Sequence, residues 1–217
     1  MRKAILVDID DCILDITVRK AKIFSLILGK RFKREQVIGK KVVEFLREHV
    51  NENEILEYRK RFWEIAFCID PLGIELLKHD KPVPYSRVVL KRLSKYFEII
   101  YITNRLESMK DITINELKRY NFPNYYKAYF ASDSYMLKDI KITRSDTLSK
   151  LPKEFDYICV IDDMPDNFPL YKSLEIPIII GFMKYIVLDE NLFKKNGASY
   201  VIKDWKDFPF ETLALYS

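Results

Sequence analysis

Two aspartates separated by a single residue, Asp8 and Asp10, follow the apolar run Ala4-Ile5-Leu6-Val7 near the start of the chain. In extended backbone, residues two apart project toward the same side, so the two carboxylates face a common space. Holding such a pair together is costly unless one is protonated or a cation sits between them, and an oxygen-only donor set is what Mg²⁺ prefers. A second acidic group stands in the corresponding place after another apolar run: Tyr157-Ile158-Cys159-Val160-Ile161 leads into Asp162-Asp163-Met164-Pro165-Asp166. Asp166 also suits a cap for the helix that follows.

Between these groups, the apolar stretch Glu98–Ile102 leads into Thr103-Asn104-Arg105, which brings a hydroxyl, an amide and a guanidinium to the same place. All three can donate hydrogen bonds to an anion, and phosphate suits them: a Thr hydroxyl and nearby backbone N–H groups hold its oxygens while Arg adds charge-assisted bonds. Carboxylates facing a phosphate dianion need positive charge beyond a single Mg²⁺, so a lysine is also expected. Lys141 precedes Thr143-Arg144-Ser145-Asp146, a sequence able to start a helix by capping, and Lys138 is its rival for the same role.

These residues need a scaffold that delivers several chain segments to one edge. Short apolar runs at Ala4–Val7, Glu98–Ile102, Tyr126–Phe130, Tyr157–Ile161, Pro177–Ile180 and Ser199–Ile202 read as buried strands. They are apolar throughout rather than alternating, which suits strands covered on both faces, and from the second strand onward a helix fits between each and the next. An α/β fold with a parallel sheet flanked by helices is therefore expected. Such open sheets bind ligands beyond the carboxyl ends of their strands, which is where the acidic groups fall.

The interval between the first two strands is far longer than the ~10 to 12 residues a crossover needs. Its sequence is helical: Val42, Val43, Leu46 and Val50 share one face, as do Ile55, Phe62 and Ala66, with Leu56, Trp63 and Phe67 beside them. Asn51 and Glu54 have the spacing of a capping box, Pro82-Val83-Pro84 ends the helical stretch, and Ser86 is placed to cap the next helix. The expected organisation is a core of residues 1–15 and 83–217 with a helical insertion at residues 16–82.

With 217 residues, 48% of them hydrophobic, the chain can bury a substantial core. Lysines or arginines interrupt every candidate membrane span, and the apolar start is too short for a signal peptide, so a cytoplasmic protein is expected. Three widely spaced cysteines, Cys12, Cys68 and Cys159, fit neither a disulfide framework nor a zinc cluster. The net charge of +5 comes from 37 basic residues interspersed with 32 acidic ones, a pattern that speaks against a nucleic-acid partner. Five glycines without the spacing of a phosphate-binding loop argue against that mode of nucleotide binding. A Ser–His hydrolase would have to use His49 or His79, both of which lie in the helical insertion and read as surface helix residues.

In this order, Asp8-Ile9-Asp10-Asp11-Cys12, then Thr103-Asn104-Arg105, a lysine at 138 or 141, and Asp162-Asp163 with Asp166, the set resembles the four motifs of the haloacid dehalogenase superfamily. Two departures are Cys12, where that family usually has Thr or Val, and the absence of a Lys-Pro pair marking the third motif. The resemblance covers residues 1–14 and about 83–205 and implies a Rossmann-like core with a helical cap inserted after the first strand. It further implies a Mg²⁺-dependent phosphatase acting on a small phosphorylated substrate, a nucleotide or a sugar phosphate. Asp8 would be the nucleophile and Asp10 the acid and base. Asp8, the Asp10 carbonyl and Asp163 or Asp162 would hold the metal, with Asp166 behind them, and Thr103 and the lysine would hold the phosphoryl group. A phosphomutase or a non-catalytic binding protein of the same fold is the alternative; Asp10 speaks against a halide-removing enzyme.

Overall fold

The computed structural model describes residues 2–134, 144–185 and 189–216. The chain begins with β1 (Arg2–Asp8), leaves through the two-residue strand β2 (Leu14–Asp15), and runs through helices α1 (Thr17–Ile27), α2 (Arg34–Val37), α3 (Val42–Arg47), α4 (Ile55–Ala66) and α5 (Leu72–Leu76). It returns through β3 (Lys81–Pro82), which pairs with β2. There follow α6 (Ser86–Leu93), β4 (Glu98–Leu106), α7 (Lys110–Arg119), β5 (Ala128–Ala131), α8 (Arg144–Ser149), β6 (Phe155–Asp162), α9 (Phe168–Ser173), β7 (Ile178–Phe182), α10 (Glu190–Asn196) and β8 (Tyr200–Ile202). Two compact units result, Met1–Ile13 with Pro82–Ser217, and Leu14–Lys81.

The first unit is built on a six-stranded sheet in the order β5-β4-β1-β6-β7-β8, in which each neighbouring pair is parallel. Residues 4–8 of β1 and all of β7 are buried, as expected for strands covered on both faces. The chain starts in the middle of the sheet, moves outward through β4 and β5, and then crosses to the other side of β1 through β6. That reversal opens a crevice at the carboxyl ends of β1 and β6. Asp8 pairs with Ile102 and Val7 with Ile161, so Asp8, Thr103 and Asp162 arrive at one edge at almost the same level. In β7, Gly181 lies level with Asp162, and a Cβ there would come within 2.5 Å of Phe193 Cδ1 on α10. Close packing of that helix on the sheet requires the glycine.

β4 extends past its expected end at Ile102 to Leu106, with a break in its register against β5 between those residues. Thr103-Asn104-Arg105 therefore lie within an irregular strand end and not beyond it. Ser86 does not cap α6; it is the first helical residue, Tyr85 precedes it at φ 62°, and the Ser86 hydroxyl donates to the Val83 carbonyl at 2.7 Å.

The second unit packs Ala21, Ile23, Phe24, Phe32, Val37, Phe45, Leu46, Ile55, Phe62 and Ile65 into a core of its own. Phe24 meets the rings of Phe45 and Phe62 at 4.1 and 4.7 Å between centroids, so the aromatic residues of this segment are largely spent on packing. Leu56, expected beside the buried face of α4, is 73% exposed. The Asn51 backbone N–H donates to the Glu54 carboxylate at 3.0 Å, which is half of a capping box, but the Asn51 side-chain amide donates to the same carboxylate at 2.7 Å instead of accepting from the backbone, and both residues lie in the turn that precedes α4. Arg19 is buried against Asp80 at 3.1 Å, which ties α1 to the end of the unit. Among the described residues no helix is long and apolar enough to cross a membrane.

Trp205 closes the back of the first unit. Fully buried, it stacks near Phe182 and Phe208 and donates from Nε1 to the Cys12 carbonyl at 3.0 Å, fixing the loop that follows β1. Trp205→Phe deletes that donor and leaves a buried carbonyl unpaired, a change expected to cost about 1–3 kcal/mol in urea denaturation. A loss below about 0.5 kcal/mol would show that the bond contributes little.

Candidate active site

Asp8 is the last residue of β1 and is 4% exposed. Its Oδ1 accepts a short hydrogen bond from Nη2 of Arg144, and the same Nη2 lies 3.3 Å from Asp162 Oδ2. One guanidinium thus bridges the carboxylates delivered by β1 and β6. Arg144 is 3% exposed, and its Nε and Nη1 are buried without a hydrogen-bond partner among the described residues. The side chain is brought there by α8, which is fastened to the sheet at several points. Asp146 accepts from the Ser132 backbone N–H at 2.7 Å, the Thr147 hydroxyl donates to the Thr103 carbonyl at 3.0 Å, and Lys150 Nζ donates to the Phe130 carbonyl at 2.7 Å.

Asp8, Asp162 and Asp163 each offer an oxygen within 4.8 Å of the other two. Burial pushes the Asp8 carboxyl well above the usual carboxylate range; Arg144 opposes this, and the charges of Asp162 and Asp10 add to it. Burial and the charges of Asp8 and Asp162 raise Asp163 in the same way. The adjacent aspartates differ in their surroundings. Asp162 is fully buried and accepts from the Met164 N–H at 2.7 Å, the Asn167 amide at 3.0 Å and the Tyr171 hydroxyl. Among the described residues, none of the hydrogen bonds around the site reaches Asp163. An all-oxygen cluster of this kind fits a hard divalent cation, and Asp8, Asp162 and Asp163 are the residues that could hold it.

Asp10 lies apart from this cluster. Arg105 Nε donates to both of its carboxylate oxygens, at 3.2 and 3.1 Å, and Nη2 donates to Oδ1 at 2.7 Å. Arg105 was expected to meet an anionic ligand; it is 1% exposed and gives its remaining Nη1 to Glu116 and Thr113. Thr103 is 1% exposed, and its Oγ1 accepts from the Arg105 N–H at 3.1 Å, which leaves the hydroxyl proton free to be donated. Asn104 keeps a buried Oδ1 without a hydrogen-bond partner among the described residues. Asp166 is exposed on the short turn Pro165–Asn167. Lys138 and Lys141 lie outside the described residues.

Two residues near the site were given no role by the reading of motifs. Arg144 appeared only as part of a helix start, because no spacing rule distinguishes it from other basic residues. Asp11 takes a left-handed conformation at φ 58°, tolerable for Asp, and is held by Lys184 Nζ at 2.8 Å and the Tyr185 hydroxyl at 3.3 Å. That turn carries the chain from Asp10 back into the buried segment at Cys12.

The family model of NLI interacting factor-like phosphatases matches residues 3–194. The chain belongs to this phosphatase family. No curated protein sequence matches it. Among solved structures, a hydrolase of the haloacid dehalogenase-like family from Streptococcus pneumoniae is similar at 13% identity and a TM-score of 0.66, over 100% of this chain and 99% of that one. A haloacid dehalogenase family hydrolase from Deinococcus radiodurans, solved with bound phosphate and sodium, is similar at 14% identity and a TM-score of 0.57, over 98% and 95% of the two chains. The fold is thus that of the haloacid dehalogenase superfamily, and the chain is a phosphatase of that type.

If Asp163 faces a cation, Asp163→Asn removes a repelling charge in the metal-free protein and a ligand in the loaded one. Thermal denaturation should then show a higher midpoint for the variant in EDTA. Saturating Mg²⁺ should raise the wild-type midpoint by several degrees, corresponding to about 2.7 kcal/mol at a hundredfold excess over Kd, and leave the variant almost unmoved. An equal Mg²⁺ response in both proteins would remove Asp163 from the ligand set.

Proposed function

We propose that this phosphatase is a Mg²⁺-dependent phosphomonoester hydrolase that acts through an aspartyl phosphate on a small phosphorylated metabolite, a nucleotide or a sugar phosphate. The observation that carries the reading is the placement of Asp8: a buried carboxylate at the end of the central strand, bonded to Arg144 and grouped with Asp162 and Asp163. A carboxylate held in that way is oriented for attack, and the cationic group beside it offers charge to a second anion arriving there.

In this reading an Asp8 oxygen attacks phosphorus, the ester P–O bond breaks, and Asp10 gives a proton to the departing oxygen. A water molecule then attacks phosphorus, Asp10 takes its proton, and the bond from phosphorus to Asp8 breaks to release inorganic phosphate. Asp8, Asp163 and the Asp10 carbonyl would hold Mg²⁺, which when bound neutralises phosphoryl charge and keeps Asp8 ionised. The Thr103 hydroxyl, and the Arg144 Nε and Nη1 groups that are buried without a hydrogen-bond partner among the described residues, would bind phosphoryl oxygens. Arg144 thereby supplies charge of the kind expected from Lys138 or Lys141. The helical unit corresponds to the cap that the family resemblance implies, and its aromatic residues and the Arg19–Asp80 pair are engaged within the unit itself.

Hydrolysis of p-nitrophenyl phosphate should require Mg²⁺, vanish with EDTA, and fall by at least about 10³-fold in Asp8→Asn. Activity that survives both treatments would reject Asp8 as nucleophile, whereas phosphoryl transfer between sugar hydroxyls without net phosphate release would identify a mutase instead. Arg144→Met should cost about 10²- to 10³-fold in kcat/KM, as expected for losing an oriented donor to the phosphoryl group. A Lys138→Ala or Lys141→Ala enzyme that loses more than Arg144→Met would return that role to the lysine.

A further inference from the structure

Arg105 is among the residues expected to bind phosphate, yet its donors are spent within the protein. Its side chain is 1% exposed, against 27% for Asp10. The Nε and Nη2 edge forks onto the Asp10 carboxylate, while Nη1 donates to Glu116 Oε2 at 2.8 Å and to Thr113 Oγ1 at 3.2 Å. Glu116 and Thr113 are themselves buried on α7. The Arg105 backbone is held as well, since its N–H donates to Thr103 Oγ1 within the irregular end of β4.

We propose that Arg105 is a positioning residue for Asp10, an inference that rests on the phosphatase reading of the site. The guanidinium transmits the fixed position of α7 to a carboxylate on the loop after β1. A planar fork bound at two edges defines both where the Asp10 carboxylate stands and how its plane is turned, which a flexible ammonium does not. The Asp10 side chain stays 27% exposed, so the fork does not seal it from a leaving oxygen or a water. An acid and base that serves two successive proton transfers gains from such fixing, because a displacement of about 1 Å costs on the order of 10²-fold in rate. Glu116 holds Arg105 and contributes at one remove.

Steady-state kinetics on p-nitrophenyl phosphate with Arg105→Lys, Glu116→Gln and Asp10→Asn, singly and combined, test this. Arg105→Lys should lower kcat by about 10- to 100-fold with KM within about threefold, and Glu116→Gln by about 3- to 10-fold. In the Asp10→Asn background neither change should reduce the residual rate further, because both act through Asp10. The same loss with and without Asp10, or a loss confined to KM, would overturn the proposal, since Arg105 would then be supporting the fold or touching the substrate. Should Arg105→Lys fail to fold, Glu116→Gln, which keeps the hydrogen bond and removes only the charge, carries the comparison alone. An active wild-type enzyme with additive losses rejects this inference and spares the phosphatase reading; an inactive wild-type enzyme rejects both.

Discussion

Holding three carboxylates close together, largely out of water, is the constraint around which the carboxyl edge of the sheet is organised. Asp8, Asp162 and Asp163 lie within 4.8 Å of one another, where like charges in a poorly solvated site repel by several kcal/mol. The described structure answers in two ways. It sets one guanidinium, from Arg144, between Asp8 and Asp162, and it surrounds Asp162 with a backbone N–H, an amide and a phenol. The anchoring of α8 serves the first answer: Asp146, Thr147 and Lys150 hold a helix of six residues against the ends of β4 and β5. Asp163 receives neither, and a cation is the group that would complete it.

A second acid–guanidinium pair stands nearby with different properties. Asp8 shares its arginine with Asp162, in a site where burial raises its proton affinity. Asp10 takes both edges of a fork whose far end is neutralised by Glu116, and it remains partly open to solvent. Two carboxylates two residues apart thus enter unlike surroundings, as the proposed division of labour between bonding to phosphorus and moving protons requires. The left-handed turn at Asp11, fastened by Lys184, lets the chain turn inward at once, so that Cys12 is buried beneath the site and its carbonyl meets Trp205.

Most of the sheet was legible because continuous apolar runs have few other uses in a chain of this composition, and the acidic groups were legible because each directly follows such a run. What escaped depends on partners distant in sequence. The type and place of Arg105 were plain, but its target was not, since Glu116 and Thr113 could not be known to face β4 before α7 was docked. Arg144 was unremarkable among 37 basic residues, and its place follows from side chains of α8 that grip Ser132 and Thr103. Errors at Ser86 and Asn51 share another cause: short polar side chains bond equally well to turn carbonyls and carboxylates as to helix N–H groups, so their presence marks a helix start without fixing its exact residue.

The strands that carry the cluster are immediate neighbours in the sheet, yet Asp8 is separated from its strand partner Ile102 by the whole helical unit, and from Asp162 by most of the chain. Parallel pairing over such intervals is slow to form, because loop closure must be met before any contact rewards it. In the order of synthesis Asp8 precedes Arg144 by 136 residues and β6 by still more. Until β6 is made, the edge of β1 that faces it has no partner and is open to association with other chains. Arrival of β6 closes that edge and brings Asp162 and Asp163 beside Asp8 in the same event.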